Sequence, residues 1–198
     1  MASNAYHNTV GRFDQYMWPY LRADWEAGRL DEAQTLSLLE EFFLSFTRDS
    51  DLYIGMQQGD NGQSLMLGGC DRSGQCAVNP LTLLCLTASL HNRQIDPKIN
   101  LRVDRNTPQD LYERCTELTR QGLGFPQYAN DDVVIPGLVR LGYALEDARD
   151  YTVAACWEFI IPGKGMDITN IAALSFAGVV NRAIQETLPG AKDMAALK

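Results

Sequence analysis

Ile99, Leu101 and Val103 alternate with polar residues, and a helix start lies on either side of them, at Asn79-Pro80 and at Thr107-Pro108-Gln109-Asp110. A two-residue period places the apolar side chains on one face of a strand. Proline in a first helical turn, with a polar cap beside it, opens a helix. Strand and helix alternating along a chain favour parallel strands joined by helical crossovers, so an α/β fold is expected.

The flanking segments extend this order. Leu36, Leu39, Phe42, Phe43 and Phe46 recur at helical spacing and predict a helix from Asp31 to Arg48. Upstream, the aromatic stretch Gly11–Tyr20 contains Pro19 and reads as a strand end or turn feeding a helix at Leu21–Ala27, stopped by Gly28. Gly62–Gly69 has an apolar centre and reads as a buried strand, followed by a turn at Asp71–Gly74. The second helix start runs on through Leu111, Cys115 and Leu118 to Gly122. Further helices are predicted from Asp131 to Gly142 and from Ile168 to Leu188, with a short extended piece at Phe125–Tyr128.

Length and composition narrow the class. A chain of 198 residues with 45% hydrophobic and 21% charged content is globular, either one domain or a piece of a larger one. Its formal net charge of −8 disfavours nucleic acid and anionic membranes as partners. No apolar run approaches the ~20 residues of a membrane span, and the first residues lack a signal-peptide layout. Cys70, Cys76, Cys85, Cys115 and Cys156 form an odd set without CxxC spacing, which fits reduced thiols in the cytoplasm. Ala191–Lys198 adds no closing element, so a chain cut from something longer is expected.

Chemistry concentrates at Ala154–Gly163, where Cys156 and Glu158 sit in an otherwise apolar run. In an extended segment these two side chains point the same way and Trp157 the other. Pro162-Gly163 then ends the extended piece. A lone apolar-flanked cysteine is usually a packed core thiol. The carboxyl group two residues on is harder to explain by packing, since an unpaired buried acid is costly.

The residues resemble the glycyl radical enzymes of the pyruvate formate-lyase-like superfamily. The resemblance is carried by Gly11–Tyr16, Leu67-Gly68-Gly69 with Asp71, Lys98–Val103, Gly124–Asp131, and Cys156-Trp157-Glu158 with Pro162-Gly163-Lys164, in the family's order. It implies part of a ten-stranded α/β barrel made of two parallel half-sheets. Residues 1–198 would be part of its single catalytic domain. The family's radical glycine lies in an Arg-Val-x-Gly-aromatic motif, whereas Arg102-Val103 is followed by Asp104, so the glycyl radical domain is expected to be absent.

The same resemblance implies a lyase or dehydratase acting on a small polar metabolite. Cys156 would become a thiyl radical that removes hydrogen from a substrate C–H, and Glu158 would act as acid and base. An apolar setting keeps the thiol protonated, above the usual ~8.5, and lifts the carboxyl from ~4.3 towards neutrality. Thr9 matches a place where relatives carry a substrate-contacting serine, and a strand-end hydroxyl there equally fits packing; Asn170, with Thr169 beside it, falls at a substrate-contacting position after the Pro-Gly turn. Ala155 replaces the second cysteine of the acyl-transferring members, and Asn170 replaces an aspartate of the diol dehydratases. No bound cofactor is implied; the radical would be installed on a glycine outside this chain by a radical S-adenosylmethionine activase. Other implied partners are the remainder of the barrel and, at full length, a second copy in a homodimer. The alternative from another class is a non-catalytic remnant with a structural or assembly role.

Overall fold

The computed structural model describes residues 9–47, 62–154, 157–165 and 175–190. The chain divides into two compact units, Met1–Asp167 and Ile168–Lys198. The first unit contains strands β1 (Thr9–Arg12), β2 (Ser64–Gly68), β3 (Lys98–Val103) and β4 (Gln127–Asn130). They form one sheet in the order β1-β2-β3-β4, and every neighbouring pair is parallel. Helices α1 (Phe13–Glu26) and α2 (Glu32–Ser45) join β1 to β2, while α3 (Pro80–Asn92) and α4 (Gln109–Thr119) make the next two crossovers. After β4 come α5 (Asp131–Arg140), α6 (Leu145–Ala148) and an antiparallel pair, β5 (Thr152–Ala154) with β6 (Glu158–Ile160). The α/β class with parallel strands is therefore observed.

One face of the sheet carries the helices. Leu65, Leu67, Ile99, Leu101 and Val103 pack there with Phe13, Phe43, Cys85, Leu111 and Cys115. Local signals start these helices as expected. Asp31 and Gln34 form a capping box at α2, with Gln34 N–H donating to Asp31 Oδ1 at 2.8 Å and Asp31 N–H donating back to Gln34 Oε1 at 2.9 Å. Asn79 caps α3 in the same way, with Pro80 in its first turn.

Three local readings are corrected. Helix α1 begins at Phe13 and runs through Pro19. An interior proline costs about 3 kcal/mol, but Phe13 and Leu21 on either side are buried and Trp18 stacks edge-on against Trp25. Tertiary packing outweighs the breaker. Helix α4 begins one residue later than the Thr107 cap implies: Thr107 Oγ1 instead accepts from Asp104 N–H at 2.8 Å and closes the preceding turn. The apolar run Ala154–Gly163 is not a single extended strand. It contains the return of an antiparallel hairpin, with Ala154 opposite Glu158, so strand alternation no longer places Cys156 and Glu158 on one face.

The sheet's second face is polar and also buried. On β3, Lys98, Asn100 and Arg102 are at most 8% exposed, although alternation in a half-buried strand would put them in water. Burial of both faces is the habit of parallel sheets. Thr9 and Arg12 both reach this face because β1 is bulged between Thr9 and Gly11: Thr9 pairs with Ser64 and Arg12 with Met66. Gly11 takes φ +69° at the bulge, a backbone region costly for residues with a Cβ.

In the second unit, α7 (Phe176–Thr187) is capped by Ser175 Oγ, which accepts from Gly178 N–H at 3.0 Å. The predicted helix from Ile168 thus has its described part at 176–187; residues 168–174 lie outside the described residues. No helix among the described residues is long and apolar enough to cross a membrane.

Candidate functional site

The β5–β6 hairpin packs against the sheet's polar face. Tyr151, Val153 and Ile161 are buried in a small core with Met66, Ala129, Leu138 and Ala148. Tyr151 meets Phe159 edge-on at 5.5 Å, and Phe159 meets Trp157 at 5.7 Å, so one row of rings lines the hairpin. At its far end the turn after Ile161 is held by Lys164, whose Nζ donates to Asp147 Oδ2 at 2.6 Å.

A buried charge network fixes the hairpin's base. Arg102 is fully buried and grips Asp131 with two nearly parallel bonds, Nε to Oδ1 at 2.9 Å and Nη2 to Oδ2 at 2.8 Å. Tyr151 donates its hydroxyl to Asp131 Oδ1 at 2.7 Å, and Cys70 N–H donates to Oδ2 at 3.2 Å. The same guanidinium donates to the Tyr151 carbonyl at 3.2 Å and lies 4.1 Å above the Tyr151 ring. Burial alone would pull Arg102 down, but the bonds and charge of Asp131 outweigh it and hold the guanidinium above its ordinary value. Burial likewise pushes the Tyr151 phenol up.

A second arginine works beside the first. Arg12 donates from Nη2 to the carbonyls of Cys70 at 2.7 Å and Gly68 at 3.2 Å, and from Nη1 to Asp150 Oδ1 at 3.2 Å. Its ion-pair partner is Asp150 rather than its near neighbour Asp14. Asp14 is turned instead to the loop after β2, where Oδ2 accepts from Gly68 N–H at 2.8 Å and from the Thr82 hydroxyl at 2.5 Å. Burial raises the Asp14 carboxyl above its ordinary value despite these donors. Gly69, at φ +75°, is where Arg102 passes: a Cβ there would lie 2.6 Å from Arg102 Cβ.

Thr9 turns out to be an anchor. Its hydroxyl donates to the Val153 carbonyl at 2.7 Å and accepts from Gly11 N–H at 3.0 Å, tying the bulge to β5. Thr9→Val should lower the unfolding free energy by about 1–2 kcal/mol, because the hydroxyl's bonds to the Val153 carbonyl and from Gly11 N–H are both lost, while Thr9→Ser should be nearly neutral. Urea midpoints of the two variants check this; equal midpoints would remove the anchoring role. Thr9 also borders a cleft of about 380 Å³ with Arg12, Tyr16, Asp150, Thr152 and Ile160.

Glu158 is half-buried in β6 and its Oε2 accepts from Trp157 N–H at 2.9 Å. It does not line the cleft that Thr9 borders. Cys156, Thr169 and Asn170 lie outside the described residues. The residues that sequence reasoning left without a role are Arg102, Asp131 and Tyr151. The available signal was a charged residue on a strand whose neighbours on both sides read as core.

Comparison with known proteins decides the lineage. A sequence profile described as pyruvate formate lyase-like matches residues 1–195. The chain belongs to this family of glycyl radical enzymes. Among curated members, it is similar to the (2S)-3-sulfopropanediol dehydratase of Klebsiella oxytoca, at 36% identity over 82% of this chain and 20% of that protein. It is also similar to the isethionate sulfite-lyase of Oleidesulfovibrio alaskensis, at 31% identity over 86% of this chain and 21% of that protein. Among solved structures, the glycerol-bound form of the B12-independent glycerol dehydratase from Clostridium butyricum superposes with a TM-score of 0.72. That match is 34% identical and covers 79% of this chain and 20% of the other. The chain thus spans about a fifth of the length of these relatives. The glycyl radical enzymes it matches are dehydratases and lyases. Four of the stretches that carried the sequence resemblance supply Arg12, Asp14, Gly68, Gly69, Arg102 and Asp131, which meet in the network just described.

Proposed function

We propose that these residues form the cysteine-hairpin section of a glycyl radical lyase or dehydratase that eliminates a group from a small hydroxylated metabolite. The observation that carries the reading is the family match over residues 1–195, with dehydratases and a sulfite-lyase among the relatives. The hairpin supports it: β5 and β6 bracket Cys156 in sequence, and the paired arginines fix their base. The four parallel strands would continue into a ten-stranded barrel, and their buried polar face would be part of its interior.

When present, the glycyl radical, installed by a radical S-adenosylmethionine activase, supplies one-electron hydrogen abstraction. A neutral thiol within an apolar stretch suits that chemistry. The Cys156 thiyl takes a hydrogen atom from the substrate carbon that bears a hydroxyl. Glu158 removes the hydroxyl proton, and the resulting ketyl radical expels the substituent on the adjacent carbon. The product radical then recovers a hydrogen atom from Cys156, which regenerates the thiyl, and the proton held by Glu158 leaves with the expelled group, so the cycle balances. Trp157 and Phe159 limit water near the radical. Thr169 and Asn170 would contact substrate, with the amide of Asn170 acting as a neutral hydrogen-bonding group. A cytoplasmic homodimer is the proposed setting for the whole protein.

The test is anaerobic activation of these residues together with an Arg-Val-x-Gly segment, on one polypeptide or two. A glycyl radical signal by electron paramagnetic resonance and substrate turnover that disappears in Cys156→Ser are expected. Turnover that survives Cys156→Ser, or a failure to form the radical, would sink the assignment.

A further inference from the structure

Cys70 and Cys76 face each other across a short hairpin on the loop after β2, as an isolated antiparallel pair. The flanking backbone bonds define the kind of pair. Ala77 N–H donates to the Gly69 carbonyl at 2.8 Å and Asp71 N–H to the Gln75 carbonyl at 2.8 Å, so Cys70 and Cys76 exchange no backbone bonds themselves. Such a non-hydrogen-bonded pair has its Cα atoms ~4.5 Å apart and its side chains on one face. Disulfides need a Cα separation of about 4.4–6.8 Å, so the backbone already satisfies the main geometric demand. The intervening turn is held independently: Gly74 N–H donates to the Asp71 carbonyl at 3.0 Å, and Arg149 donates to the Arg72 carbonyl at 3.1 Å.

The two thiols also differ in the way a redox pair requires. Cys76 is exposed, whereas Cys70 is buried; both are free. We infer that Cys70 and Cys76 form a reversible disulfide when the protein meets an oxidant of the peroxide class. The Cys76 thiol gives up its proton and attacks a peroxide oxygen as the thiolate; the O–O bond breaks, the departing hydroxide takes that proton to give water, and the sulfur becomes a sulfenic acid. Cys70 then attacks that sulfur and displaces hydroxide, which takes the Cys70 proton to give a second water. Two electrons pass from the sulfurs to the peroxide, and the S–S bond is the product.

The pair is placed to act on the charge network. Cys70 Sγ lies 3.5 Å from Arg102 Nη2, its N–H donates to Asp131, and its carbonyl accepts from Arg12. Drawing Sγ towards Cys76 removes it from Arg102 and locks the loop that both arginines hold. The pairing of Cys70 with Cys76 and their difference in exposure do not depend on whether Cys156 is catalytic.

Trypsin distinguishes the states, because cleavage at Arg72 separates Cys70 from Cys76. The full chain is exposed to hydrogen peroxide, its remaining thiols are alkylated, and it is denatured and digested without reductant. The peptide ending at Arg72 should be joined to Ser73–Arg93, with tandem mass spectrometry placing the link at Cys76 and not Cys85. Dithiothreitol should release it, and Cys76→Ser should abolish it. The inference is overturned if the peptides stay separate while Cys76 becomes sulfenic acid trapped by dimedone. It is overturned equally if Cys70 is joined elsewhere or the link persists in Cys76→Ser.

Discussion

Arg102→Met is expected to lower the unfolding free energy by about 3–5 kcal/mol, the range for removing one partner of a buried ion pair. Asp131 is 3% exposed and accepts four bonds, two of them from Arg102. Without the guanidinium, the carboxylate keeps only the Tyr151 hydroxyl and Cys70 N–H as donors and loses the counterion bonded directly to it. The cost is the desolvation of that stranded charge more than the loss of two hydrogen bonds. Replacing both partners, as in Arg102→Met with Asp131→Leu, should therefore recover part of the loss, because no buried charge remains. Arg102→Lys should fall between, since an ammonium keeps the charge without the two-bond fork. Urea or thermal midpoints of the three variants provide the measurement. A loss below about 1 kcal/mol in Arg102→Met would mean that water reaches Asp131 and that the network does not hold the hairpin base.

The same cluster shows what could be read from the sequence and what could not. Ile99, Leu101 and Val103 announced β3 because a two-residue period is a local property of the chain. The starts of α2 and α3, beside Asp31 and Asn79-Pro80, were legible for the same reason. Pro19 misled because its penalty is local, whereas the packing that overrides it comes from Leu21, Phe13 and Trp25, which only the folded chain brings together. Ala154–Gly163 misled differently: a continuous apolar run carries no mark of where a strand reverses, and the antiparallel return falls inside it. Arg102 and Asp131 were in view as parts of quoted stretches, yet their pairing spans 29 positions and needs the parallel register of β3 and β4. Thr9 had two readings, packing and substrate contact. Its bond to Val153, 144 positions away, gives the hydroxyl a structural duty. Cys156, Thr169 and Asn170 lie outside the described residues.

On the proposed mechanism, Glu158→Gln should slow turnover about 10²–10⁴-fold, the usual contribution of a positioned acid or base. The substitution is nearly isosteric. Its amide oxygen can still accept from Trp157 N–H, the bond that Glu158 Oε2 makes at 2.9 Å, so the hairpin should keep its shape and stability. What is lost is the ability to take the proton from the substrate hydroxyl. Without that step the substrate radical is not converted into a ketyl, and loss of the neighbouring substituent becomes slow. Hydrogen abstraction itself does not need the carboxylate. In deuterated water the activated variant should therefore return deuterium from Cys156 to unreacted substrate while releasing little product. Cys156→Ser should do neither. If Glu158→Gln turned over within tenfold of the parent, the proton would be leaving by another route, and Glu158 would be a hairpin residue that binds its own neighbour's backbone. If it lost both exchange and turnover, the carboxylate would be needed before chemistry begins. The base assignment would fail in that case too.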